Sequence, residues 1–280
     1  MKIFSVTDRC RRDAQLKAFV KKYTATRRPM SLSDVNPKRL ALGVGLAVLW
    51  TATASGQLAN ADRAAIDAYQ AALAAVASRP PGRGIEPALK ALQAVEAALM
   101  RSRDGDVVLE SLSDEEFTRV NAIEGMVVNR EEVLFVRPDV EYFRGLARAR
   151  GDAADRAFFA ALKATYPDSV WKDYVEQQTD VGGCIRFGTM TLVETYVRWA
   201  DFQRAYPNRY ADFAKKESDD VFKALVESQC SCDDLASVEK ELDEFLRRVR
   251  TPAPRAAVEA RTQAVRTGRS GIQTSCVGGR

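Results

Sequence analysis

A serine followed three residues later by a lysine, Ser169-Val170-Trp171-Lys172, is the spacing in this chain best suited to covalent chemistry. On a helix it brings the amine to the hydroxyl as base to nucleophile, and a helix N-terminus favours the oxyanion that develops in acyl transfer. Ser237-Val238-Glu239-Lys240 repeats the pattern inside a plainly amphipathic stretch, so the motif by itself is a weak sign of catalysis. Carboxylate pairs are the second chemistry open to the chain. Glu176, Asp180 and Glu194 surround a Gly182-Gly183-Cys184 break, with Trp171, Tyr174 and Trp199 close in sequence, and acids beside aromatic faces suit a glycosidic bond. Ser169, Lys172 and Glu176 are thus the residues of a hydrolase reading directed at wall polymer.

Against that reading stands the composition. The 280 residues contain no histidine, which removes Ser-His-Asp and Cys-His pairs, histidine-bearing zinc sites and the ordinary proton shuttle of neutral pH. Asp219-Asp220 and Asp233-Asp234 are adjacent acids placed where helices are expected to start, and the helix dipole accounts for them, so neither a metal nor a cofactor is expected. The overall charge of +4 hides a division. Residues 1–54 hold 11 Lys/Arg and 3 Asp, leaving the rest of the chain at −4, and no general electrostatic case for nucleic-acid binding remains.

That basic stretch has the order of an export signal. Lys38 and Arg39 precede an unbroken apolar run over residues 40–50, and small residues follow in Thr51-Ala52-Thr53-Ala54-Ser55-Gly56. Cleavage is expected after Ala54 or Gly56, with translation starting at Met1 or Met30, and the mature chain is expected to be periplasmic or secreted with no transmembrane helix. Cysteine usage points the same way. Beyond the signal stand Cys184, Cys230, Cys232 and Cys276, an even number that suits an oxidising compartment. Geometry disfavours the tight ring that would join Cys230 to Cys232. Cys184 is therefore expected to pair with one of these two and Cys276 with the other.

The remaining sequence predicts elements that are mostly helical. Apolar residues recur at helical spacing over residues 62–78, 87–99, 139–150, 152–166, 191–206 and 234–249, with Pro, Gly or capping residues at the ends. Ser113 and Glu116 form a capping-box signal, residues 170–178 read as a further helix, Asn208 as a cap, and Ser218 as a restart. Only the runs around Val127 and Val133 look β-prone. The expected fold is mainly α: a single-domain, disulfide-stapled helical bundle of roughly eight or nine helices, with at most one short β-hairpin. Residues 55–250 would form the helical domain and 251–280 a basic arm tied back by a disulfide, residues 247–280 holding eight Arg and one Glu.

Such a chain is expected to act by binding, in an inhibitory, immunity or scaffolding role in a bacterial-type envelope, on a protein or an anionic envelope partner. The residues expected to make contact are Gln177, Gln178, Asp180 and Arg186, because a disulfide from the Gly182-Gly183-Cys184 break to the Cys230-Ser231-Cys232 turn would hold irregular backbone rigid there.

Overall fold

Two alanine-rich helices open the structure: α1 (Asn60–Ser78) and α2 (Glu86–Leu99), joined through Pro80-Pro81-Gly82. Their facing stripes, Ile66, Tyr69 and Val76 against Leu89, Leu92, Val95 and Leu99, are buried. The computed structural model describes residues 58–274, apart from Asp104, Glu132 and residues 179–181. The expectations for the signal segment, for Asp180 and for Cys276 fall outside the described residues.

After α2 the chain makes a small hairpin, β1 (Ser102–Arg103) with β2 (Asp106–Val107), a single turn α3 (Val108–Ser111) and the short helix α4 (Asp114–Asn121). Ser113 caps α4 as its sequence predicts, its hydroxyl accepting from the Glu116 N–H at 3.2 Å. A second hairpin pairs β3 (Met126–Asn129) with β4 (Phe135–Pro138). Helices α5 (Val140–Arg150) and α6 (Ala153–Thr165) follow, capped by Asp139 and Asp152. Phe143, Phe158 and Phe159 from these helices meet Trp199, Phe202 and Tyr210, and Phe158 stacks on Tyr210 with ring centroids 3.9 Å apart.

Helices α7 (Thr191–Ala205) and α8 (Ala211–Glu227) form the spine. Trp199 and Phe202 of α7 and Ala214 of α8 belong to the aromatic core just described. Leu192 and Val193 at the other end of α7, with Val221 and Leu225 of α8, belong to a second core completed by α9 (Leu235–Arg248) and α10 (Pro252–Arg266). The basic segment is thus largely helix: Val258, Thr262 and Val265 of α10 are buried, and Arg266 reaches Asp243 at 2.8 Å and also pairs with Glu239.

Against the second core lies a four-stranded sheet of very short strands, ordered β5 (Val175–Gln177), β6 (Gly183–Ile185), β7 (Cys230–Ser231), β8 (Gln273–Thr274). β5 and β6 are antiparallel, while β6, β7 and β8 run parallel to one another. The mainly helical class holds, with ten helices among the described residues. The strand content exceeds the single hairpin expected, because strands of two to four residues are too short to show a period in sequence.

Residues 170–178 are not a helix. The Asp168 carboxylate accepts from the Val170 and Trp171 N–H groups at 3.0 and 2.8 Å, a local turn that competes with helix formation, and Ser169 sits at φ +69°. Asn208 does not cap α8; the residue before that helix is Tyr210, and α8 runs unbroken through Ser218 because a continuous buried face at Ala214, Glu217, Val221 and Leu225 holds it together.

Candidate functional site

The hairpin made by β5 and β6 brings together Gln177, Gln178 and Arg186, three of the four residues nominated for contact. Val175 lies opposite Ile185, Glu176 opposite Cys184 and Gln177 opposite Gly183, and the pairing continues as the Gln178 N–H donates to the Gly182 carbonyl at 3.0 Å. Side chains alternate across such a ladder, and directly opposed residues share a face. Gln178 and Arg186 therefore fall on the face of Cys184, and Gln177 falls on the other with Val175 and Ile185. Gly183 is required where it stands, since a Cβ there would lie 2.4 Å from the Glu176 carbonyl oxygen.

A disulfide fixes this hairpin to the rest of the molecule. Cys184, fully buried in the middle of β6, is bonded to Cys232 just beyond β7, with Cα atoms 5.1 Å apart. The Cys232 N–H donates to the Ile185 carbonyl at 2.9 Å, so covalent and hydrogen bonds join the same two strands. Gln178 Nε2 lies 2.9 Å from Cys184 Sγ, which ties the end of β5 to the bridge. Cys230 is disulfide-bonded as well. The Arg186 N–H donates to the Tyr174 carbonyl at 2.9 Å, while its guanidinium has no ion-pair partner among the described residues.

The residues of the hydrolase reading are dispersed. Ser169 is buried and its hydroxyl accepts from the Val140 N–H at 3.2 Å, serving the first turn of α5. Lys172 Nζ pairs with Asp220 at 2.7 Å and lies 3.9 Å from Glu217, both on α8. Glu176 and Glu194 are exposed. Trp199 and Tyr174 are core residues, the indole of Trp199 donating to Thr165 Oγ1 at 3.0 Å.

Lys172 nevertheless belongs to a polar cluster that the sequence does not announce. The Tyr166 hydroxyl stands 3.1 Å from both oxygens of Glu217, and Lys172 lies beside the rings of Tyr166 and Tyr174. Burial raises the Glu217 carboxyl above the usual glutamate range, against the pull of Lys172 and Lys216; the neighbouring Asp220 adds to the rise. Burial also acts to raise Asp220, but its bonds to Lys172 and Lys216 outweigh that and hold it below the aspartate range. Because the folded value of Glu217 is raised, its contribution to stability is complete below the ordinary glutamate range and is lost as pH rises through the folded value. Replacing Glu217 with glutamine is therefore expected to favour the variant increasingly over the range from the ordinary glutamate value upward. Thermal unfolding of both proteins across that range checks it, and a difference that does not change with pH contradicts it.

Other buried acids are structural and were missed by motif reasoning. Glu241 of α9 reaches across to cap α7: its carboxylate accepts from the Met190 N–H at 2.8 Å and the Val193 N–H at 3.1 Å, where Met190 itself offers no capping side chain. Asp62 accepts from Arg101 and Arg103 at 2.8 and 2.7 Å. Arg209 joins three carboxylates, Asp155 at 2.8 Å, Asp152 at 2.5 Å and Glu86 at 3.2 Å, and the Tyr210 hydroxyl donates to Asp155 at 2.7 Å. One signal was available: Asp62, Asp155, Glu217 and Glu241 all sit on the apolar stripe of their helix, and an acid there must be paired.

Among the described residues no helix is long and apolar enough to cross a membrane. Fold and hairpin together define a mainly helical, disulfide-clamped protein. The chain matches no protein-family model, no curated protein and no solved structure.

Proposed function

We propose that this is an exported protein of a bacterial-type envelope that acts by binding, in an inhibitory, immunity or scaffolding role, with the β5–β6 hairpin as its contact element. The observation that carries the reading is the clamp: a buried disulfide and a continuous ladder fix Gln178 and Arg186 on one face of a hairpin, and little conformational entropy is lost when such a rigid element is bound. Export is supported by the basic, apolar, small order of residues 38–56 and by a disulfide, which persists in oxidising compartments.

A protein partner fits better than an anionic polymer. Three arginines of the C-terminal segment are engaged within the molecule: Arg255 with Glu259 and the Leu246 carbonyl, Arg261 with the Ser228 and Ser270 carbonyls, and Arg266 with Glu239 and Asp243. The alternative, a hydrolase acting through Ser169 and Lys172 or a carboxylate pair, has less support, because the Ser169 hydroxyl serves the α5 N-terminus and Lys172 is held by Asp220.

Affinity capture from an envelope extract tests the reading. Tagged, oxidised protein is expected to retain one stoichiometric protein, and the double variant Gln178→Ala, Arg186→Ala is expected to lose it by at least tenfold with an unchanged thermal midpoint. Equal capture by both proteins, or recovery of wall fragments alone, would sink the hairpin as the contact.

A further inference from the structure

Two turns meet at one end of the bundle, and both carry arginines. Arg79 and Arg83 lie in the connection from α1 to α2, and Arg148 and Arg150 end α5. The Gly82 N–H donates to the Arg150 carbonyl at 2.8 Å, which fixes one turn on the other. Arg79, Arg83 and Arg148 are exposed and Arg150 is half-buried. Among the described residues none of these four side chains has a hydrogen-bond or ion-pair partner; Arg148 acts on Glu141, two turns earlier in α5, from beyond ion-pair distance. Arg156, which donates to the Gly151 carbonyl at 2.9 Å, adds a fifth positive charge. Three acids of this end, Glu86, Asp152 and Asp155, are bound by Arg209, which leaves Asp212 at the start of α8 as an opposing charge. Cations at the C-termini of α1 and α5 complement the helix dipoles, but Arg83 stands between two helices and gains nothing from either.

We propose that this end of the bundle is a docking surface for an anionic phospholipid membrane. Each arginine near such a surface strengthens binding by about fivefold, and four that no internal acid neutralises are free to contribute. The chain beyond residue 54 is net −4, so attraction acts in one orientation, with the arginine end toward the lipid. A protein partner fits this end less well, because protein interfaces are centred on apolar anchors. The one large hydrophobic side chain exposed among the described residues is Leu235, at the start of α9. A small anion needs donors converging in a cleft, whereas three of these four arginines lie exposed. The β5–β6 hairpin leads into α7 at Thr191, and α7 reaches the arginine end at Ala205, 15 residues or about 22 Å away. A protein docked in this way keeps the hairpin clear of the membrane for a partner of its own. The surface goes beyond the hairpin reading and stands if that reading fails.

Residues 1–54 are net +8 and include an apolar run, enough to hold the full chain on vesicles, so the test needs a local readout. Hydrogen exchange of the oxidised full chain is read by mass spectrometry with vesicles of phosphatidylcholine alone and of phosphatidylcholine mixed equally with phosphatidylglycerol. At low salt, residues 79–84 and 148–152 are expected to exchange at least about threefold more slowly on the anionic vesicles only. The slowing should disappear at about 0.5 M salt. It should also disappear in the quadruple variant Arg79→Gln, Arg83→Gln, Arg148→Gln, Arg150→Gln, whose thermal midpoint is expected to stay within about 4 °C of the parent because the side chains removed make no bonds. No slowing at the two turns, equal slowing on both kinds of vesicle, or slowing that persists in the variant overturns the surface. Slowing by soluble poly-glutamate but not by vesicles overturns it in favour of an acidic protein chain. A midpoint lowered by more than about 4 °C overturns it too, because the arginines would then serve the helix ends.

Discussion

Converting Cys184 and Cys232 together to serine is expected to lower the unfolding free energy by about 4 kcal/mol, the chain-entropy value for a bridge across 48 residues. The loss should be large because so little else holds the sheet. β6 and β7 share a single register pair, Ile185 with Ser231, and β7 carries β8 through only two more. Without the covalent link, β5 and β6 would remain a hairpin of three residues a side, which is marginal in water. Urea denaturation of the oxidised protein and the double variant measures the difference. A change below about 1 kcal/mol would mean that hydrogen bonding and the second core hold the hairpin unaided, contrary to the clamp described above.

The second large effect belongs to Arg209. Its side chain is 31% exposed, but Asp155, which it meets, is fully buried, and Asp152 and Glu86 complete the cluster. Replacing Arg209 with leucine leaves Asp152 and Asp155 without their cation and Glu86 with Lys90 alone. Breaking a buried pair from one side costs about 3–5 kcal/mol, and the partial exposure here puts the expectation near 3 kcal/mol. Lysine at the same position is expected to recover less than half, because an ammonium is a point charge and does not reach three carboxylates on the starts of α2 and α6 as a planar guanidinium does. Denaturant unfolding of both variants checks this. Lysine performing as well as arginine would show that charge, not the fork geometry, is what matters.

These two contacts show where sequence reasoning succeeds and where it stops. The helices with a clean stripe were legible. Asp152 and Asp139 act as caps where the sequence placed them, and the stripe of Val238, Leu242 and Phe245 is buried as its spacing requires. The disulfide between Cys184 and one member of the Cys230-Ser231-Cys232 pair was legible too, because few pairings satisfy the geometry.

What failed to show was whatever depends on distant partners. Val175 to Gln177 becomes strand because β6 is there to pair with, and nothing local to the segment says so. The motif Ser169-x-x-Lys172 loses its helix to the Asp168 side chain, two hydrogen bonds of local competition that a spacing pattern does not weigh. Glu241 caps a helix that begins some fifty residues earlier in the chain. Of the residues nominated for contact, Gln178 and Arg186 share a face with the bridge, whereas Gln177 alternates to the other.

The claim that matters most is that this hairpin is where a partner touches. The most direct measurement is photocrosslinking in the source cell, with a benzophenone amino acid placed at Gln178 in one protein and at Arg79, the exposed end of α1, in another. The account predicts one discrete adduct from the Gln178 position, absent from the Arg79 position and lost when Arg186 is also changed to alanine. No adduct from Gln178, or the same adduct from both positions, would contradict it.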